Sequence, residues 1–154
     1  MKRIGITAMI MLLGACSKPA PATEGGGTSE PSNPPPPASA PVLGGVDLSQ
    51  DLRLVGTEPF WGVQIDSRQI KLSGAQRPEI TVANPGPRMS DHSAVWESHT
   101  SDGAALRVTL TDTACSDGMS DRKYPLSAVV VFGAETLKGC GDKLEVFLKP
   151  SPKS

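Results

Sequence analysis

From Val46 onward, apolar and polar residues alternate along much of this chain with a period of two. Trp61, Val63 and Ile65 alternate with Gly62, Gln64 and Asp66; Ile70 and Leu72 follow, with Asp66-Ser67 as the turn between the runs. Ile80 and Val82 form another short run. Leu106, Val108 and Leu110 alternate with Arg107, Thr109 and Thr111. Asp102-Gly103 precedes that run and Val95-Trp96 precedes the turn, which is a hairpin signal. Leu126 to Phe132 is nearly continuous apolar, the pattern of a strand buried on both faces. Leu144, Val146 and Leu148 alternate with Lys143, Glu145 and Lys149, which predicts a last strand. Residues two apart share one face of a strand, so each run offers one apolar face to a core. No stretch carries a clean helical stripe, and there is no internal repeat. The expected fold is all-β: a small antiparallel barrel or sandwich of seven to nine short strands over residues 46–150.

The earlier part of the chain reads as an address and a tether. Met1-Lys2-Arg3 is basic, and Ile4 to Leu13 is mostly apolar. That run is too short to span a bilayer, which takes ~20 residues, and fits the apolar region of a secretory signal over residues 1–15. Leu13-Gly14-Ala15-Cys16 resembles a bacterial lipobox. The resemblance implies cleavage before Cys16, a diacylglyceryl thioether on its sulfur and an acylated new N-terminus. Several acyl chains, at ~0.8 kcal/mol per buried CH₂, make a lasting membrane anchor. Ser17 follows where Asp resembles an inner-membrane retention signal, so the expected place is the cell envelope, on the outer membrane facing the periplasm. Residues 16–45 then form a disordered tether. It holds Pro34-Pro35-Pro36-Pro37 and Gly25-Gly26-Gly27, with Val42 and Leu43 as its only large apolar residues. Such a segment buries too little surface to offset its ordering entropy. Residues 151–154 are a tail.

Composition narrows the chemistry. The net charge is -1 over 154 residues, so no basic surface awaits nucleic acid. Aromatics at 4% are too few for a base-stacking platform. Three cysteines exclude a multi-disulfide knot and a four-cysteine zinc site. With Cys16 lipidated, Cys115 and Cys140 remain, and in an oxidising compartment such a pair bonds. The alternative is a two-cysteine metal or redox site, and the 24 residues between them do not make a CxxC motif.

Three segments carry a resemblance: Gly56-Thr57-Glu58-Pro59-Phe60-Trp61; Cys115-Ser116-Asp117-Gly118-Met119-Ser120-Asp121-Arg122-Lys123-Tyr124-Pro125; and Leu137-Lys138-Gly139-Cys140-Gly141. Together they resemble a family of bacterial envelope proteins, often lipoproteins, with GTEPFW and C-x-DGMSD-x-x-YP segments. That family brings no established activity with it. The architecture is more loosely similar to membrane-bound inhibitors of c-type lysozyme and to META-type envelope domains.

Each segment also has a physical reading. Pro59 pushes Glu58 toward an extended shape, and Phe60-Trp61 enters a strand with Trp61 inward, plugging one barrel end rather than stacking on a ligand. Glu58 is a candidate cap or partner for Arg122. Gly118 supplies a φ that other residues resist. Asp117, Ser120 and Asp121 are placed to hydrogen-bond their own backbone. The competing reading makes 117–124 a recognition loop, with Asp117, Ser120, Asp121, Arg122, Lys123 and Tyr124 as binding candidates.

Other chemistry fits less well. A calcium site from Asp112, Asp117 and Asp121 lacks EF-hand spacing. A nucleophilic Ser120 needs His92 or His99 as base, and no G-x-S-x-G elbow exists. Copper at His92, His99 and Met89 lacks an HxH or MxxM cluster. The expectation is a lipid-anchored envelope protein with a non-enzymatic β domain that binds an envelope protein or glycan, with no cofactor or metal. The alternative is an inhibitor of a cell-wall hydrolase whose 117–124 loop blocks a glycan cleft; a hydrolase using Ser120 and a structural spacer rank behind it.

Overall fold

All of the alternating runs but the last form strands, and most bury the face that the pattern assigns to them. The computed structural model describes residues 39–150. Its elements are β1 (Val42–Leu43), β2 (Val46–Asp47), β3 (Leu52–Thr57), β4 (Phe60–Ile65), β5 (Gln69–Gly74), β6 (Arg77–Ala83), β7 (Arg88–Ser90), β8 (Ser93–His99), β9 (Ala105–Cys115), β10 (Tyr124–Phe132), β11 (Glu135–Lys143) and α1 (Leu144–Leu148). Cys16, the 1–15 leader, most of the expected tether and the 151–154 tail lie outside the described residues. Among the described residues no helix is long and apolar enough to cross a membrane.

Strands β3 to β11 form one antiparallel sheet in the order β6-β5-β4-β3-β11-β10-β9-β8-β7, and β1-β2 form a second, small one. The large sheet is a meander whose last strand returns to pair with its first, Cys140 opposite Val55 and Lys143 opposite Leu52. Its two edges, β6 and β7, are consecutive in the chain and joined only by 84–87. A flat sheet of this order would be about 38 Å wide at ~4.8 Å per strand. The link from Ala83 to Arg88 reaches at most about 19 Å at 3.80 Å per residue. The sheet must therefore curl, and it forms a half-barrel. The curl stops short of full pairing at Asn84-Pro85-Gly86-Pro87. Two prolines there remove ladder donors, and Gly86 takes φ +84°.

The concave face is the core. Leu52, Leu54, Val63, Leu72, Val108, Leu110, Leu126 and Val130 are fully buried. Leu43, Val46 and Leu48 join the same cluster, so the folded domain begins before Val46 and the expected tether ends before β1. Leu43, 3% exposed, finds apolar partners that a tether would not offer.

Trp61 lies inward at the end of the curl bearing the β3–β4 turn, as a plug should. Its ladder neighbours are Gly56 on β3 and Gly74 on β5. The indole lies directly over Gly56 and beside Gly139: a Cβ on Gly56 would collide with Nε1, and one on Gly139 would lie 2.8 Å from Cζ2 and collide with Val55 O. Glycine at 56 and 139 makes room for the ring.

Three expectations change. Leu52–Thr57, outside the expected runs, also forms a strand. In β10 one face only is buried: Val129 and Val131 are half-buried, because no second layer of described residues covers them and Val129 lies between Thr109 and Lys138. Leu144 to Leu148 is a single helical turn, not a strand. The ladder has run out there, since β3 starts at Leu52 opposite Lys143, and Leu144 N instead donates to Asp51 O at 2.8 Å.

Candidate functional site

The segment between β9 and β10 leaves the sheet at Cys115 and returns at Tyr124, which pair across a bulge before Leu126. Cys140 sits opposite Val55 and Ser127, on the convex face. The Cys115–Cys140 disulfide, with Cα atoms 5.5 Å apart, pins the start of the segment to that face.

Asp117 is its hub. The carboxylate accepts Met119 N at 3.0 Å, Ser120 N at 2.9 Å, the Ser120 hydroxyl at 3.0 Å and the Tyr124 hydroxyl at 3.0 Å. Gly118, at φ +72°, makes the turn that aims these donors inward. Partial burial pushes the Asp117 pKa up, but the donated hydrogen bonds outweigh it and hold the carboxyl below its ordinary value. Burial, then the bond to Asp117, pushes the Tyr124 phenol up.

Arg122 points away from solvent. Its guanidinium donates to Val146 O and, at 2.8 Å, to Lys149 O, satisfying carbonyls at the end of α1. Its Cζ lies 6.0 Å from the centroid of the Phe147 ring, on which Tyr124 stacks at 5.2 Å. Arg122 is 8% exposed and Tyr124 4%. These two expected contact residues are thus parts of the frame, as are Asp117 and Ser120; Lys123 and Asp121 are exposed. The expected partnership of Arg122 with Glu58 gives way to its bonds with α1, a helix the alternating pattern did not reveal.

The other candidate sets are not assembled. The Ser120 hydroxyl donates to Asp117, and no hydrogen bond joins it to His92, in the β7–β8 turn, or His99, at the end of β8. No group of three or more His, Cys, Asp or Glu with metal-binding geometry occurs among the described residues.

The structure does bring the two motif segments together. The Thr57 hydroxyl donates to Asp117 O at 3.3 Å, and Phe60 sits directly opposite Thr57 in the β3–β4 ladder. Each segment shows one large apolar side chain to solvent: Phe60 is 58% exposed and Met119 68%. Sequence reasoning missed Phe60 as a surface feature. The signal was there in the strand period: if Trp61 points in, Phe60 points out. Beside Phe60 a shallow depression of about 380 Å³ is lined by Arg53, Trp61, Gly62, Ser73, Gly74 and Ala75. Compared with known proteins, the chain matches no family model and has no significant similarity to a curated protein or a solved structure.

Proposed function

We propose that this protein is an envelope-tethered binding module, anchored through a lipid on Cys16, whose Phe60–Met119 surface docks on an envelope protein or glycan without catalysis. The observation that supports docking is the Thr57–Asp117 contact, which holds two exposed apolar side chains on one rigid frame. Single exposed apolar residues are ordinary. Two on joined, hydrogen-bonded segments resemble the anchors of an interface, where pre-ordered side chains lose little entropy on binding. The lipobox-like segment and the resemblance to envelope lipoproteins support the tether.

The test is photocrosslinking in cells with full-length protein carrying the photoreactive residue at 60, at 119 or at the control position 102. Discrete adducts at 60 and 119, absent at 102, are expected. Cys16→Ser should release the protein from membranes and remove the lipid mass. No adduct at 60 or 119, or the same adducts at 102, would overturn the docking surface; unchanged fractionation and lipid mass would overturn the anchor.

A further inference from the structure

The convex face beside Phe60 carries a cation with no partner among the described residues. On β4, Phe60, Gly62 and Gln64 point outward, and Gly62 lies between Val55 on β3 and Ser73 on β5. Lacking a side chain, Gly62 leaves a dent in the sheet. The Arg53 side chain lies in it: a Cβ on Gly62 would stand 2.6 Å from Nη2 and 2.9 Å from Cζ. Four other guanidinium groups are engaged, those of Arg77 with Glu135, Arg88 and Arg107 with Glu97, and Arg122 with α1, while Arg68 extends into solvent from an exposed turn. The half-buried Arg53 makes no hydrogen bond or ion pair with any described residue.

This orientation is informative because an acid is at hand. Asp142 on β11 is the direct ladder partner of Arg53, on the same face. No ion pair forms between them; Asp142 is buried and accepts Lys143 N at 2.7 Å. Arg53 turns instead toward Gly62, into the depression that Phe60 borders. The next residues across the sheet from Arg53 are Gln64 and Lys71, neither acidic. An unpaired planar guanidinium is built to receive a carboxylate through two parallel N–H donors. An exposed phenyl ring beside it covers an apolar body attached to that carboxylate.

We propose that the Gly62 depression is a carboxylate-binding site: Arg53 takes the carboxylate, and Phe60 packs on the apolar group next to it. The ligand chemistry is a carboxylate beside an apolar side chain, as at the C-terminus of a peptide or in a small aromatic acid. The inference deepens the docking reading and rests on it through Phe60.

The experiment titrates full-length protein with N-acetyl-Ala-Phe, its C-terminal amide and phenylacetate, following the amide signals of Gly62 and Ser73 and the Arg53 Nε–H signal by NMR. The dipeptide acid should bind at least tenfold more tightly than the amide. Arg53→Gln should abolish that preference, Arg53→Lys should keep part of it, and Phe60→Ala should weaken acid and amide alike. Phenylacetate matching the dipeptide acid supports a small acid as the source, and phenylacetate much weaker supports a peptide terminus. Equal binding of acid and amide, no binding of either at millimolar concentration, or an acid preference that survives Arg53→Gln in a folded protein overturns the site. Crosslinking at 119 reads the docking surface separately, so the carboxylate site can fail while docking stands.

Discussion

Ser98 Oγ donates a hydrogen bond to Ala83 O at 2.8 Å, tying β8 to β6 across the gap between the two ends of the sheet. Prolines 85 and 87 keep backbone pairing from closing that gap, so a side chain spans it. Removing the hydroxyl in Ser98→Ala should cost about 0.5–1.5 kcal/mol. Amide exchange should rise in β6 and β8 and stay unchanged in β3 and β11. Uniform or unaltered exchange would show that the seam does not depend on this bond.

Trp61 and its glycines make a sharper case. Gly139→Ala drives a methyl group into Val55 O and toward the indole. Backbone cannot retreat as a flexible side chain can, so a loss at the upper part of the overpacking range, about 1–3 kcal/mol, is expected. Gly56→Ala meets the indole first and Lys138 O, 2.7 Å from the added Cβ, second, so Trp61→Leu in the same chain should recover part of its loss. Urea denaturation of the single and double variants measures this; no recovery in the double variant counts against the ring as the obstacle.

Arg122 and Lys123 are neighbours with opposite expectations. Arg122→Gln leaves carbonyls at the end of α1 without their charged donor and should cost about 1.5–3 kcal/mol. Lys123→Ala changes an exposed charge and should stay within about 0.5 kcal/mol. Equal melting temperatures for the two variants would remove Arg122 from the frame.

The Asp117 hub predicts a pH dependence of definite sign. Its pKa is depressed, so its contribution is full above the ordinary value of 3.8 and is lost as pH falls through the lower native value. Asp47, Asp66 and Asp102 are depressed as well and act in the same direction. Tyr124 is raised, so its contribution is full below 10.0 and is lost as pH rises through its higher native value. Acid unfolding followed by denaturant titration should show a shallower fall below about pH 4 in Asp117→Asn than in the parent. An identical slope would show that the hub does not titrate with folding.

The disulfide should matter to the fold as a whole. Replacing Cys115 and Cys140 together by Ser should destabilise by about 2–5 kcal/mol, since the bond closes a sizeable loop and pins the 116–123 segment. Non-reducing mass spectrometry of exported protein checks the bond itself, and two free thiols there would refute it.

The strands were legible because their period is local: Trp61-Val63-Ile65 and Leu106-Val108-Leu110 show their buried faces in a handful of residues. The Asp66-Ser67 and Asp102-Gly103 turns and the positive φ of Gly118 were legible for the same reason, since turn chemistry is written in adjacent residues. The last turn was not, because Leu144, Val146 and Leu148 keep a period of two that only Phe147 breaks, while Leu144, Phe147 and Leu148 also fit one face of a helix. Only the end of β3 opposite Lys143 decided between them. The site divides in the same way. Asp117 as the centre of a tight loop follows from its own neighbours. The burial of Arg122 and Tyr124 depends on Phe147 and the α1 carbonyls, more than twenty positions along the chain, which no local pattern encodes. The turn of the Arg53 guanidinium likewise depends on which residues the strands set beside it: a glycine on one side, and an acid on the other that it does not take.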